Sequence, residues 1–167
     1  LASLINTINQ EQKKHIVTIE DPIEFIYEND KSLIEQREVN AHTQDFHEAL
    51  KSSLRQTADV ILVGELRDLE TISWAVTAAE TGALVLATLH TNGAARAIDR
   101  MIDAFPGDKQ NQIRAQLATS LKCVVWQTLL PHKKAEGRIP AFEILFHNYA
   151  VGTLIRDQKT HQIPNVI

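Results

Sequence analysis

The sequence predicts an α/β fold around a mixed, mostly parallel sheet, because short apolar runs alternate along the chain with segments of helical spacing. Three such runs, residues 16–19, 60–63 and 84–89, are each followed within two residues by an acidic side chain or a histidine. All-apolar runs are typical of parallel strands that are covered on both faces. Ligands of open α/β sheets lie beyond the carboxyl ends of the strands, so we expect a nucleotide phosphate and its metal at this edge.

The chain opens inside a predicted amphipathic helix. Leu1, Leu4, Ile5 and Ile8 follow the i, i+3, i+4, i+7 spacing, and no capping residue precedes them. A glycine-rich loop that leads into a helix is the usual phosphate site, yet no glycine here belongs to a G-x-x-x-x-G-K-[ST] pattern. We therefore expect a piece of a longer protein, truncated at its N-terminus so that the first strand of the domain and the phosphate loop would lie before residue 1.

Strands and helices follow in an order that suits a parallel sheet, with one central βαβ unit whose crossover should be right-handed. Up to residue 89 the predicted order is a strand at residues 15–19, a hairpin-like segment at 25–39, a helix that starts at Asp45, a strand at 60–63, a helix capped by Asp68 and stopped at Gly82, and a strand at 84–89.

The last part of the chain changes from helices to a predicted antiparallel pair of strands at one sheet edge. The predicted order is a helix capped by Asn92, a second helix from about Asp108, strands at residues 124–130 and 139–146 around a polar turn at 131–138, and a helix at 150–159. No linker, repeat or low-complexity tract interrupts the chain, so residues 1–167 are interpreted as one incomplete domain.

Composition excludes several classes of protein. With 167 residues and 44% hydrophobic side chains the chain suits one folded domain. Its net charge of −4 and scattered basic residues argue against nucleic-acid binding. The single cysteine, Cys123, excludes disulfides and cysteine-based zinc sites. No apolar stretch reaches the length of a membrane span, so a cytoplasmic protein is expected.

Glu65 is the strongest candidate catalytic residue. It follows an apolar strand and Gly64, which lets the backbone turn closely, and a carboxylate there can orient or deprotonate a water in line with a γ-phosphate. Arg37 and Arg67 are candidate phosphate ligands because guanidinium suits bidentate phosphate contact. Surface pairing with nearby Asp68 is the simpler alternative for Arg67.

Glu20 and Asp21 are candidate ligands of Mg²⁺, which takes oxygen ligands and often binds through water. Adjacent residues of an extended chain point to opposite faces, so at most one of the two should face a metal while the other bonds the loop. His90 follows the third apolar run, where a neutral imidazole can contact a γ-phosphate oxygen. A structural histidine is the alternative for His90.

Three motifs of the chain are residues 18–24 (TIEDPIE), 60–71 (VILVGELRDLET) and 88–92 (TLHTN). They resemble, in this order, the Asp box, the Walker B segment and the His box of the secretion-type ATPases that drive type IV pili and type II secretion. Within that superfamily they are most similar to the pilus-retraction members. Residues 36–39 and 78–82 also match. At 150–157 the retraction pattern Ala-Ile-Arg-Asn-Leu-Ile-Arg-Glu is kept in frame, but Gly152-Thr153 replaces its Arg-Asn pair.

The resemblance implies a three-layer, RecA-like domain that uses Mg-ATP in a homohexamer, with a PAS-like domain and Walker A loop before residue 1. It implies Glu65 as catalytic glutamate, Glu20 and Asp21 near metal and attacking water, and His90 and Thr91 at the nucleotide. It also implies a pilus platform protein of the inner membrane as partner and a position at the cytoplasmic base of the pilus. Without Walker A, the chain alone is expected to be inactive.

Three alternatives remain open. An extension or type II secretion ATPase commonly carries a four-cysteine zinc insert, and the absence of cysteine from residues 127–139 counts against it. A non-catalytic ring or docking module is disfavoured by the intact acidic residues and His90. A DNA-dependent RecA domain is disfavoured by charge and by the Asp and His boxes.

Overall fold

The computed structural model describes residues 1–133 and 136–167 and contains two compact units, Leu1–Leu89 and His90–Ile167. The first unit is a four-stranded parallel sheet with three helices. Its elements are α1 (Ala2–Glu11), β1 (His15–Glu20), β2 (Leu33–Glu38), α2 (Phe46–Ser53), β3 (Val60–Val63), α3 (Leu69–Glu80) and β4 (Leu84–Ala87). Within the described residues no helix is both long and apolar enough to cross a bilayer.

The parallel sheet has the order β2-β1-β3-β4 and confirms the predicted strands. Ile19 of β1 pairs with Val63 of β3, and Val63 pairs with Ala87 of β4, so these strands end at nearly the same level. All four residues of β3 are buried, as expected for a central parallel strand. The last strand is shorter than predicted and ends at Ala87.

The helix caps of this unit follow the local sequence. The Asp45 side chain accepts the Glu48 N–H at 2.8 Å, and the Asp68 side chain accepts the Thr71 N–H at 2.8 Å. Both bonds satisfy backbone donors that a helix start leaves free. Gly82 follows the C-cap of α3, Thr81, and has a φ of +109°, a left-handed conformation that favours glycine.

The hairpin-like interpretation of residues 25–39 is wrong. Leu33–Glu38 forms β2, which pairs with β1 in parallel and not with a preceding strand. A parallel connection needs about a dozen residues, and residues 21–32 supply them. The alternating pattern indicated a strand correctly, but it carried no information about the partner.

The predicted apolar face of α1 is also partly wrong. Ile5 is buried and Ile8 is partly buried against the core, whereas Leu1 and Leu4 are exposed. The second fully buried position belongs to Asn9, which is 3% exposed. A buried amide is tolerated there because its polar atoms are hydrogen-bonded to residues 28–32.

Acid should weaken the hydrogen bonds through which the Asp59 carboxylate, just before β3, binds Lys14 and the His15 N–H at the start of β1. The His15 N–H bond and then Lys14 hold the pKa of Asp59 below its ordinary value of 3.8. A depressed folded-state pKa stabilises the fold above the unfolded pKa, and this stabilisation is lost as the pH falls through the folded value. We expect the stability difference between wild type and Asp59→Asn to shrink below about pH 4 in urea unfolding series. Asp103→Asn, at an exposed helix end, is the control, and a difference independent of pH would contradict the prediction.

In its described residues the second unit contains three α-helices, one 3₁₀ helix and a separate two-stranded sheet. Its elements are α4 (Ala94–Asp103), α5 (Gly107–Ser120), β5 (Cys123–Pro131), β6 (Arg138–Phe146), α6 (Tyr149–Arg156) and a 3₁₀ helix (Thr160–Asn165). The antiparallel pairing of β5 with β6 is confirmed, but among the described residues the pair forms its own sheet. Part of the predicted turn, residues 134–135, lies outside the described residues.

Two helix boundaries of this unit differ from prediction. The N-cap of α4 is Gly93 and not Asn92, and the first helical N–H, from Ala94, is bonded at 2.6 Å by the carboxylate of Glu143 on β6. A side chain distant in sequence thus replaces the local cap. The last helix ends at Arg156, and not at residue 159, because the chain turns there into the 3₁₀ helix.

Gly152 lies inside α6 where that helix meets α5. A Cβ at this position would be 2.9 Å from the carbonyl oxygen of Ala118 and 3.0 Å from Nε2 of His147. His147 Nε2 also donates to the Ala118 carbonyl at 3.0 Å. The glycine therefore permits a close helix contact, although glycine inside a helix costs about 1 kcal/mol relative to alanine.

Candidate functional site

A hydrogen bond from Gly64 connects the carboxyl ends of β1 and β3. Its N–H donates to the Ile19 carbonyl at 2.7 Å, and its own carbonyl accepts the hydroxyl of Thr88. A Cβ at this position would be 3.2 Å from the Ile19 carbonyl oxygen and 3.4 Å from Cα of Glu20. Glycine is thus the residue that lets the two strand ends approach this closely, as its place before Glu65 predicted.

Arg67 brings two of the predicted acidic residues together. Its Nε donates to Oε2 of Glu65 at 2.6 Å, and its Nη1 is 3.8 Å from Oδ2 of Asp21. Glu65, through its hydrogen bond and its charge, raises the pKa of Arg67, and Asp21 adds to the effect. Two carboxylates from the ends of two neighbouring strands therefore face one guanidinium, as the site prediction requires for Asp21 and Glu65.

Glu20 is hydrogen-bonded to its own strand and to the loop that follows it. It is 8% exposed, and its Oε1 accepts the hydroxyl of Thr18 at 2.7 Å. Its Oε2 lies 3.5 Å from the backbone nitrogen of Glu24. Of the two alternatives open from the sequence, the contacts favour Asp21 on the side of Glu65 and Glu20 as the residue that bonds the loop.

Arg37 is not part of the Asp21–Glu65 group. It lies on β2, where its Nη2 donates to Glu35 at 3.1 Å and to the side chain of Gln56 at 2.5 Å. Because side chains alternate along a strand, Arg37 occupies the face of β2 opposite to Gln36. Its contacts in this chain are structural, and the sequence could not tell which of the two arginines lies near the carboxylates.

His90 and Thr91 open the second unit. They follow the end of β4 by three and four residues, which agrees with their predicted place after the third apolar run. The Thr91 hydroxyl lies 3.4 Å from the Gly93 carbonyl, just before α4. Their assignment to the nucleotide stays a prediction.

The carboxylates of Asp21 and Glu65 suit a hard cation in chemical type. Both are oxygen donors, and their shared guanidinium shows that they flank a place where positive charge is favourable. The described part of the chain contains no cluster of three or more metal-ligating side chains that could hold an ion unaided. Mg²⁺ is often held by one or two carboxylates together with substrate phosphates, and this pair fits that mode.

Comparison with known proteins assigns the fold to a family. The family described as type II/IV secretion system protein matches residues 1–163. The chain belongs to this secretion system family. A twitching motility protein of Neisseria gonorrhoeae is 53% identical over the whole chain, which corresponds to 45% of that protein. The type IV pilus retraction ATPase PilT of Pseudomonas aeruginosa is 49% identical over the whole chain and 48% of its own length.

A solved structure of the secretion system family agrees closely with the fold. The crystal structure of the pilus retraction motor PilT with bound ADP has a TM-score of 0.94 and 47% identity, and the match covers 99% of this chain and 48% of that one. The α/β fold with a mostly parallel sheet and an antiparallel pair is thus confirmed. The chain spans about half the length of the curated relatives it matches.

Sequence reasoning missed two amide side chains that hold the loop after Asp21. Asn9 of α1 and Gln36 of β2 hold the connection between β1 and β2 through hydrogen bonds to its backbone. The sequence indicates Asn9 to some degree, because this polar residue lies four positions after Ile5, on the same face of α1. Gln36 left only its place in the segment 36–39 that matches the family.

Proposed function

We propose that the chain is the C-terminal, RecA-like half of an ATPase that uses Mg-ATP to drive retraction of type IV pili. The observation that carries the proposal is the pair of carboxylates, Asp21 and Glu65, held on Arg67 at the joined ends of two parallel strands. The family and the names of the relatives support a retraction motor. The length of those relatives supports a Walker A loop and a PAS-like domain in the rest of the protein.

Each residue of the proposed site has a role that follows from its position. Glu65 orients the attacking water and takes up its proton, because its carboxylate is 22% exposed at a strand end and can be reached by water. Asp21 would hold Mg²⁺, and the ion, when bound, would supply positive charge to the phosphate oxygens. For His90 and Thr91 the family motif alone supports a contact with the nucleotide. Arg37 is left out of the site.

Glu20 has a supporting role in this proposal. Its carboxylate is buried and bonded to Thr18 and to the loop, so it fixes the backbone on which Asp21 stands. We propose that it acts on the attacking water only through this backbone. The carboxylate that faces the substrate is then Glu65.

We further propose the assembly and the place in the cell. The full-length protein forms a homohexamer at the cytoplasmic face of the inner membrane, where it acts on the platform protein at the base of the pilus. Residues 1–167 by themselves do not hydrolyse ATP, because the phosphate loop supplies most of the contacts to the anion.

Deletion of the gene tests the direction of the motor. We expect cells that carry surface pili, visible by electron microscopy, but that cannot retract them or move by twitching. The wild-type gene on a plasmid should restore retraction. Cells without any pili would contradict the proposal and indicate an extension motor, and loss of secreted proteins with normal pili would indicate a secretion ATPase.

A further inference from the structure

The 21–32 loop, which joins β1 to β2, begins with Asp21 of the proposed site. Its large apolar side chains contribute little to its position, because Phe25 and Ile26 are 61% and 90% exposed. Tyr27 packs against the core but is only partly buried. Since burial of apolar surface is small here, hydrogen bonds must supply much of what holds the loop in place.

Gln36 makes the central contacts to this loop. Its Oε1 accepts the Tyr27 N–H at 2.9 Å, and its Nε2 donates to the Phe25 carbonyl at 2.7 Å. The same Nε2 is 3.5 Å from Oε1 of Glu20. One side chain thus contacts both the middle of the loop and the carboxylate just before it.

Other polar contacts hold the two ends of the 21–32 loop. Near its start, the carboxylate of Glu38 accepts the Ile23 N–H at 2.9 Å. Near its end, Asn9 donates to the Glu28 carbonyl at 2.8 Å and accepts the Asp30 N–H at 3.1 Å. Between these two attachments the loop is held by the two short bonds of Gln36, by the longer contact of the Glu24 nitrogen with Glu20 at 3.5 Å, and by partial packing of Tyr27.

We propose that Gln36 is a positioning residue of the ATPase site, which keeps Asp21 beside Glu65 by fixing the 21–32 loop. The proposal rests on the proposed function. Gln36 touches neither the substrate nor the metal; it acts through Glu20 and the loop backbone. A displacement of about 1 Å in a reacting group costs up to about 100-fold in rate, so a loosened loop lowers turnover more than binding.

The test uses the full-length protein with Gln36→Met, which keeps the length of the side chain and removes its hydrogen bonds to the loop. We expect kcat for ATP to fall about 10-fold while KM stays within about two-fold. Gln36→Glu replaces the donating NH₂ by a carboxylate oxygen that faces the Phe25 carbonyl and the Glu20 carboxylate, so its kcat should fall at least as far as that of Gln36→Met. Gln127→Met, on an exposed position of β5, is the matched control and should keep wild-type kinetics.

Tyr27 gives a second measurement that does not depend on hydrolysis. Burial, and then the charge of Glu20, raise its pKa above the ordinary value. In protein labelled with ¹³C at tyrosine Cζ, NMR titration should show the Tyr27 pKa falling toward its ordinary value in Gln36→Met. Tyr27→Phe assigns the signal.

The outcomes separate the two proposals. Wild-type kcat in Gln36→Met, or a Tyr27 titration that does not move, would overturn the role of Gln36. If the wild-type protein does not hydrolyse ATP, the proposed function fails, while the Tyr27 titration still decides whether Gln36 positions the loop. If Gln36→Met does not fold, the same two measurements on Gln36→Asn, which is neutral but too short to keep the bonds to the loop, decide.

Discussion

We expect Glu65→Gln in the full-length protein to lower kcat for ATP hydrolysis by about 10²- to 10⁴-fold. The amide has nearly the same size as the carboxylate and can still accept a hydrogen bond from Arg67, which now lies 2.6 Å from Oε2 of Glu65. It can neither take up a proton nor carry the negative charge that orients the attacking water. We therefore expect Glu65→Gln to lower the rate of ATP hydrolysis and to leave folding unchanged.

Nucleotide binding separates this role from a structural one. The Kd for ATP should stay within about two-fold of wild type, because the phosphate contacts come from other parts of the site. Hydrolysis is measured by phosphate release and binding by fluorescence of a labelled nucleotide. Glu11→Gln, an exposed change of the same kind in α1, is the matched control. Lost binding in Glu65→Gln, with residual turnover unchanged, would assign Glu65 another role.

A second large effect is expected at Gly152, in the opposite direction to the one that helix propensity predicts. Alanine in a helix is favoured over glycine by about 1 kcal/mol. Here the added Cβ would lie 2.9 Å from the Ala118 carbonyl oxygen and would disturb the hydrogen bond from His147. Overpacking costs about 1–3 kcal/mol and the lost bond about 1 kcal/mol, so the contact outweighs the propensity.

Thermal unfolding measures the difference. We expect Gly152→Ala to lower the free energy of unfolding by about 1–2 kcal/mol and Gly152→Val by about 3 kcal/mol, at about 2–4 °C of Tm per kcal/mol. Gly107→Ala is the control, because no atom lies within 4 Å of a Cβ built there. A more stable Gly152→Ala protein would mean that α5 and α6 separate easily and that propensity decides.

Local patterns were sufficient for most of the elements. The apolar run 60–63 became a fully buried central strand, and Asp45 and Asp68 cap the helices that follow them. These features depend on residues within a few positions of each other, so the sequence contains the needed information. The cap of α4 shows the limit of local patterns. The Ala94 N–H is bonded by Glu143, 49 residues further along the chain, and not by the local candidate, Asn92.

Pairing between strands was the least predictable part of the fold. Residues 25–39 have the alternation of a strand, but nothing in the alternation tells whether the partner is the preceding segment or β1. The parallel pairing depends on a loop that is held by Asn9 of α1 and Gln36 of β2, which both lie outside the loop itself. Such contacts depend on tertiary distances and leave little trace in a local pattern.

The sequence by itself determined that acidic side chains follow the parallel strands and that Gly64 stands before Glu65, because strand period and turn chemistry are local properties. Only the tertiary structure decided that Asp21, and not Glu20, faces Glu65, and that Arg67, and not Arg37, lies between them. The physical reason is that a carboxylate or a guanidinium bonds to whatever polar group lies within about 3–4 Å. Those neighbours come from segments that the chain brings together only on folding.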